Sequence, residues 1–140
     1  MKTSPLFAAL ILLGASATLA SATSVPKHSD DYPANHKTLT DDQGAPGPVA
    51  DCIATGYDLV HAHQEFDRLG FTRNDIASAD MAREKGKFSP SDPRVVNEVV
   101  IVTGEARQRG YSSWLGVTLR CGFSGPHMTA IEIVADAAQD

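Results

Sequence analysis

Only two of the 140 residues are cysteine and one is tryptophan, and aromatic residues make up just 6% of the chain. Basic residues never form a block, and 17 acidic against 12 basic residues give a formal charge of −5. That balance argues against a nucleic-acid binder that works by neutralising phosphates. No C-x-x-C, no H-E-x-x-H and no N-x-Ser/Thr sequon is present. The glycine-containing stretch Gly44-Ala45-Pro46-Gly47 has proline where a phosphate cradle needs backbone donors. No apolar run reaches the ~20 residues that span a bilayer. What remains, 42% hydrophobic and 21% charged, is ordinary globular composition, so a wholly disordered chain, a collagen and a coiled coil are set aside. The length suits one small domain.

The chain opens with Met1-Lys2, continues through the apolar run Leu6 to Leu13, and follows it with small residues. This basic, apolar, small order is that of a secretory signal peptide. Ala20-Ser21-Ala22 offers cleavage after Ala22, and Thr18-Leu19-Ala20 offers it after Ala20. No cysteine follows for lipid attachment, and no membrane span is expected after cleavage. Residues 1–22 are therefore expected to be the signal and the protein to be periplasmic or secreted. An oxidising compartment and an even pair, Cys52 and Cys121, point to one disulfide. The competing reading is two buried thiols.

Residues 23–47 are rich in turn formers and Asp and poor in large apolar side chains, which predicts a disordered linker. A single α+β domain is expected over 48–137. Pro48 to Leu69 carries a stripe at helical spacing: Val49, Cys52, Gly56, Leu59, His63 and Phe66. Thr72 and Asp75 have capping-box spacing for a short helix ending at Gly86. Ser89 to Pro93 is a loop. Val95–Arg107, Ser112–Phe123 and Thr129–Ala135 read as strands, joined by turns at Gln108–Gly110 and Ser124–Pro126. Short links favour an antiparallel meander. The expected architecture is a helix packed on three strands with one helix-to-sheet disulfide.

Side-chain alternation gathers Leu115, Val117, Leu119, Cys121 and Phe123 on one face of the second strand. Pairing Cys121 with Ile131 and Leu119 with Ile133 extends that face, and Val99 and Ile101 are expected to join it. Cys121 then faces the helix stripe that bears Cys52. The same register sets Glu98, Arg120 and Glu132 in a row on the other face, with Trp114 near Gly104 and Val100, Val102, Met128 and Val134 alongside. Either the Thr72–Lys87 segment or a partner would cover that face. Trp114, Arg120, Glu98 and Glu132 are the candidate binding surface.

Reactive chemistry is harder to find. His61 and His63 point different ways on a helix, and each has its own i,i+4 acid. Ser124-Gly125-Pro126-His127 places a hydroxyl near an imidazole, but a turn explains it more simply. No catalytic residue, metal site or cofactor is assigned. The strand motifs Gly104-Glu105-Ala106-Arg107 and Trp114-Leu115-Gly116-Val117-Thr118-Leu119-Arg120-Cys121-Gly122, after a helix cysteine, resemble small exported proteobacterial proteins of the BspC-like kind. The resemblance spans about Val49 to Val134. It implies a periplasmic or secreted Gram-negative protein with one disulfide and carries no catalytic residues. Two functions are weighed. One is a binding module for an envelope or extracellular protein. The other is a small periplasmic hydrolase or metal-dependent enzyme using His61, His63 or His127.

Overall fold

The computed structural model describes residues 24–137; the expected signal peptide, 1–22, lies outside them. The elements are α1 (Tyr32–Asp41), α2 (Gly47–His61), β1 (Phe66–Gly70), α3 (Arg73–Ala77), β2 (Asp80–Ala82), β3 (Gly86–Lys87), β4 (Val95–Val96), β5 (Glu98–Gln108), β6 (Trp114–Ser124) and β7 (His127–Ala135). The chain is α+β, with helices laid against an antiparallel sheet and Cys52 joined to Cys121 across the interface.

Helix α2 begins as expected, with Pro48 in its first turn, where the missing amide hydrogen costs nothing. Its apolar stripe buries Val49, Cys52, Ile53 and Val60. The helix stops at His61, not at Leu69. His63 Nδ1 accepts from the amides of Glu65 and Phe66, at 3.1 and 3.3 Å, and so stabilises a turn in place of another helical turn. The Arg109 guanidinium donates to the carbonyls of Val60, His61, His63 and Phe66, at 3.0–3.2 Å. Val60 and His61 belong to the last turn of the helix, so the guanidinium adds to the bonds of its end and sets a positive charge where the helix dipole is negative. Beyond this turn the chain runs back as β1.

The expected three strands lie on one side of a larger sheet, with β7 at its edge. Its order is β1-β5-β6-β7, and β2 shares the β5 edge with β1. Strand β1 pairs with the far part of β5, from Glu105 to Gln108, while β2 pairs with Val99 to Ile101. Helix α3 bridges the two. Thr72 caps it, accepting from the Asp75 amide at 3.0 Å while the Asp75 carboxylate accepts from the Thr72 amide at 2.8 Å. The helix ends at Ala77, well short of Gly86, and the residues after it become β2 and β3. The Ser89–Pro93 loop links β3 to β4 in a small hairpin.

Registers between β6 and β7 match expectation, with Cys121 opposite Ile131 and Leu119 opposite Ile133. Between β5 and β6 they do not. Val100 faces Cys121 and Val102 faces Leu119, so the helix-side face takes Val100 and Val102 in place of Val99 and Ile101. The β5–β6 loop is wider than the assumed Gln108–Gly110 turn. The Gln108 amide reaches the Ser113 carbonyl, and Gly110 takes a left-handed backbone at φ 83°. An odd-numbered slip of register exchanges the two faces of a strand.

The disulfide lies at the centre of the main core. Both cysteines are fully buried and their Cα atoms are 5.7 Å apart, well inside the span such a bond requires. Gly56 lets α2 approach the sheet closely: a methyl group there would come within 2.8 Å of the Leu119 side chain.

Residues 24–47 of the expected linker are not disordered. Helix α1 buries Leu39, and Val25 and Tyr32 pack on the same core. Its docking is largely polar. Asp58 on α2, itself 8% exposed, accepts from both the amide and the hydroxyl of Ser29. Asp51, also on α2, accepts from the Tyr32 hydroxyl. Burial, reinforced by that carboxylate, raises the Tyr32 phenol above its ordinary pKa. His28 stacks on the Tyr32 ring, with centroids 3.5 Å apart.

Candidate functional site

The sheet face away from α2 is half covered by the chain itself. The β3–β4 hairpin folds over Gly122, where a methyl group would come within 2.8 Å of both Phe88 and Val96. Phe88, Val96, Val99 and Ala130 form a satellite core there. The cover comes mainly from this hairpin rather than from Thr72–Lys87.

This hairpin occupies two of the four expected surface residues. Arg120 does sit opposite Glu132, with 3.7 Å between charged atoms. Yet Arg120 also donates to the Phe88 carbonyl at 3.2 Å, and Glu132 accepts from the hydroxyls of Ser89 and Ser91 at 3.2 and 3.3 Å. Both side chains clamp the hairpin down. Arg94 adds a bond to the Thr129 carbonyl. Glu98 does not join their row: it lies opposite Phe123, on the helix side. Its Oε1 is buried without a hydrogen-bond partner, and its Oε2 is 4.0 Å from Arg83 Nε. It borders a small hollow of about 310 Å³ between α1, the start of α2 and the β6–β7 turn.

Trp114 is different. It is 44% exposed and lies on the uncovered half of the outer face. Its cross-strand partner is Arg107, not Gly104. The expected pairing of aromatic ring with glycine occurs twice, with other partners. The Trp114 ring lies 3.5 Å from where Gly70 would carry a Cβ, and the Phe71 ring fills the corresponding space at Gly104. A groove of about 730 Å³ runs beside the indole, bordered by Gly70, Thr103, Gly116 and the carboxylate-bearing residues Asp75, Glu105 and Asp136. Glu105 stands opposite Gly116. Asp136 folds over that glycine, donating its amide to the Gly116 carbonyl at 2.9 Å and accepting from the Thr118 hydroxyl at 2.9 Å. A methyl group at Gly116 would sit 2.8 Å from the Asp136 carboxylate. The missing side chain therefore leaves space for the Asp136 carboxylate over Gly116, and Asp136 and Glu105 line the same groove.

Across the strand pair from Trp114, Arg107 grips Asp67 with two hydrogen bonds of 2.8 and 3.1 Å. The guanidinium holds the Asp67 carboxyl below the usual carboxylate range.

The histidines do not converge. His61 ends α2 and His63 lies in the following turn, whereas His127 opens β7 beside the far end of β6. A helix of fifteen residues, ~22 Å long, separates the two ends. Among the described residues, no group of three or more His, Cys, Asp or Glu is placed to hold a metal ion. None of their helices is long and apolar enough to cross a membrane.

Glycine at positions 70 and 116, which shapes this groove, carried little signal in the sequence. A glycine inside a strand marks a bulge or a close approach but does not say which neighbour fills the space. Asp75 was legible only as a cap. Comparison with protein-family models, curated proteins and solved structures returns no match.

Proposed function

We propose that this chain is an exported, disulfide-stapled binding module that acts in the periplasm or outside the cell on an envelope or extracellular protein. The observation that carries the reading is the divided outer face of the sheet. One half is sealed by the chain's own hairpin, and the other is left open as a groove beside a half-exposed indole. Large aromatic side chains at the rim of an open concavity are common anchors of recognition. Support for export comes from the buried Cys52–Cys121 bond, since such bonds persist in oxidising compartments. The likeness of the strand motifs to BspC-like exported proteins points the same way. Arg120 and Glu132 leave the contact surface in this reading, and Trp114 stays.

Site-specific crosslinking tests the proposal. A photoreactive amino acid replaces Trp114 in one full-length chain and the exposed Asn97, beyond the hairpin-covered end, in another. After irradiation of intact producing cells, a defined protein adduct in the envelope or medium fraction is expected from position 114 and not from 97. Equal labelling from both positions, or none from 114, would overturn the site.

A further inference from the structure

From the groove at Trp114 we infer the chemistry of its occupant: a basic peptide segment of the partner, whose lysine or arginine side chain lies along the indole and ends among the carboxylates of Glu105, Asp136 and Asp75. This inference rests on the groove being the contact surface. Every ionisable side chain that borders the groove is acidic. Among the described residues, none of the three carboxylates has a Lys or Arg partner. The nearest cation in the same row, Arg107, is already committed to Asp67. The exposed Arg68, next in that row, lies outside the groove lining.

Three features favour an organic cation on an apolar stem. The face of an indole attracts such a cation, and its rim packs against methylene groups. The indole covers Gly70 and the Asp136 carboxylate covers Gly116, and the groove of about 730 Å³ beside them has room for a long unbranched side chain. The carboxylates are not grouped closely enough to enclose a metal ion, which suits a ligand that spans them. Two of the three are also held in place before anything binds, Asp136 by Thr118 and Asp75 by the amide of Thr72. The overall charge of −5 favours the approach of a basic partner at low salt.

The test uses the single tryptophan of the chain as its reporter. The indole N–H resonance of the full chain is followed while a capped pentapeptide, lysine-glycine-arginine-glycine-lysine, is added. A second titration uses the same peptide with glutamine in place of its three basic residues. Saturable movement of the indole signal by the basic peptide is expected, weakened by added salt. The double variant Glu105→Gln/Asp136→Asn should bind it about fivefold more weakly, since exposed ion pairs each contribute modestly. Thr118 can still donate to the side-chain amide oxygen that the variant carries at position 136, so the fold is kept, and an unchanged amide spectrum of the free variant verifies that. Equal binding of the neutral peptide, or undiminished binding by the double variant, overturns the cationic assignment and leaves the groove standing. An indole signal unmoved by either peptide overturns the cationic assignment and removes support from the groove itself.

Discussion

Breaking the bond between Cys52 and Cys121 measures how far this small fold depends on a covalent link. The bond closes a loop of 69 residues. In the chain-entropy model, opening such a loop returns about 4 kcal/mol of freedom to the unfolded ensemble. A domain of this size typically has about 5–15 kcal/mol in total, so reduction removes a quarter of its stability at the least. With a urea dependence of about 1.5 kcal/mol per molar, the unfolding midpoint should fall by roughly 2–3 M. The assay compares oxidised protein with protein reduced in denaturant and refolded under reductant, followed by far-ultraviolet circular dichroism. Reduction separates the link from its side chains, because both sulfurs remain. The double variant Cys52→Ala/Cys121→Ala should lose a further ~1–2 kcal/mol from the cavities left behind. Because both cysteines are fully buried, reductant alone should leave the native bond intact while reductant with urea removes it. A midpoint shift below about 0.5 M at unchanged slope would refute the reasoning. It would mean that the reduced, unfolded chain is already as restricted as the crosslinked one.

Four further outcomes are expected. Leu39→Ala should cost about 2–4 kcal/mol in urea unfolding; a neutral effect would show that α1 does not contribute its buried side chain to the core. Gly104→Ala should cost about 1–3 kcal/mol, because the new methyl group meets the Phe71 ring at 2.4 Å and the Gly70 carbonyl oxygen at 2.7 Å; an unchanged midpoint would contradict that close approach. Arg109→Ala should speed amide exchange around the end of α2 and the start of β1 more than elsewhere, since one guanidinium serves four carbonyls there; uniform exchange would deny it a capping role. Asp67 is held below the usual carboxylate range by Arg107, so its stabilising effect is complete at neutral pH. That effect is lost as pH falls through the acidic range below about 4; Asp67→Asn should flatten this part of the pH–stability profile, and an identical profile would show that the pair is not linked to folding.

The α+β class, the helix-to-sheet disulfide and the β6–β7 register were legible because one face of β6 alternates cleanly from Leu115 to Phe123. Strand β5 was not. Val99, Val100, Ile101 and Val102 are all apolar, so alternation cannot assign a face. They are all apolar because the hairpin covers their second side, and burial on both sides erases the pattern. The excess length given to α2 came from a coincidence of spacing: Phe66 continues the helical stripe and is equally buried as a strand residue. The turn that separates the two uses His63 Nδ1 and Arg109, and no glycine or proline announces it. Helix α1 was missed because it docks through hydroxyl-to-carboxylate bonds, from Ser29 to Asp58 and from Tyr32 to Asp51, and these leave no hydrophobic period. Trp114, set on the outer face by the alternation along β6, is 44% exposed, but its surroundings depend on the register of β5.

The edge of β5 carries two short strands with a gap between them. β2 pairs with Val99 to Ile101 and β1 with Glu105 to Gln108, which leaves Val102 to Gly104 without a strand neighbour on that side. The chain crosses this gap as Phe71, the α3 cap and α3 itself, and the wall of the groove is made from that crossing. The staple and the hairpin lie on other segments, whereas Phe71, Ile76 and Ala79 of this crossing pack into the main core. Variation at the exposed positions Arg73, Asn74, Ala77 and Ser78 therefore changes the surface beside the groove while the frame stays constant, much as a recognition loop is varied on an antibody. Libraries randomised at those four positions, with the core residues and the Thr72–Asp75 cap kept, would make the protein a small crosslinked scaffold for selecting new binders.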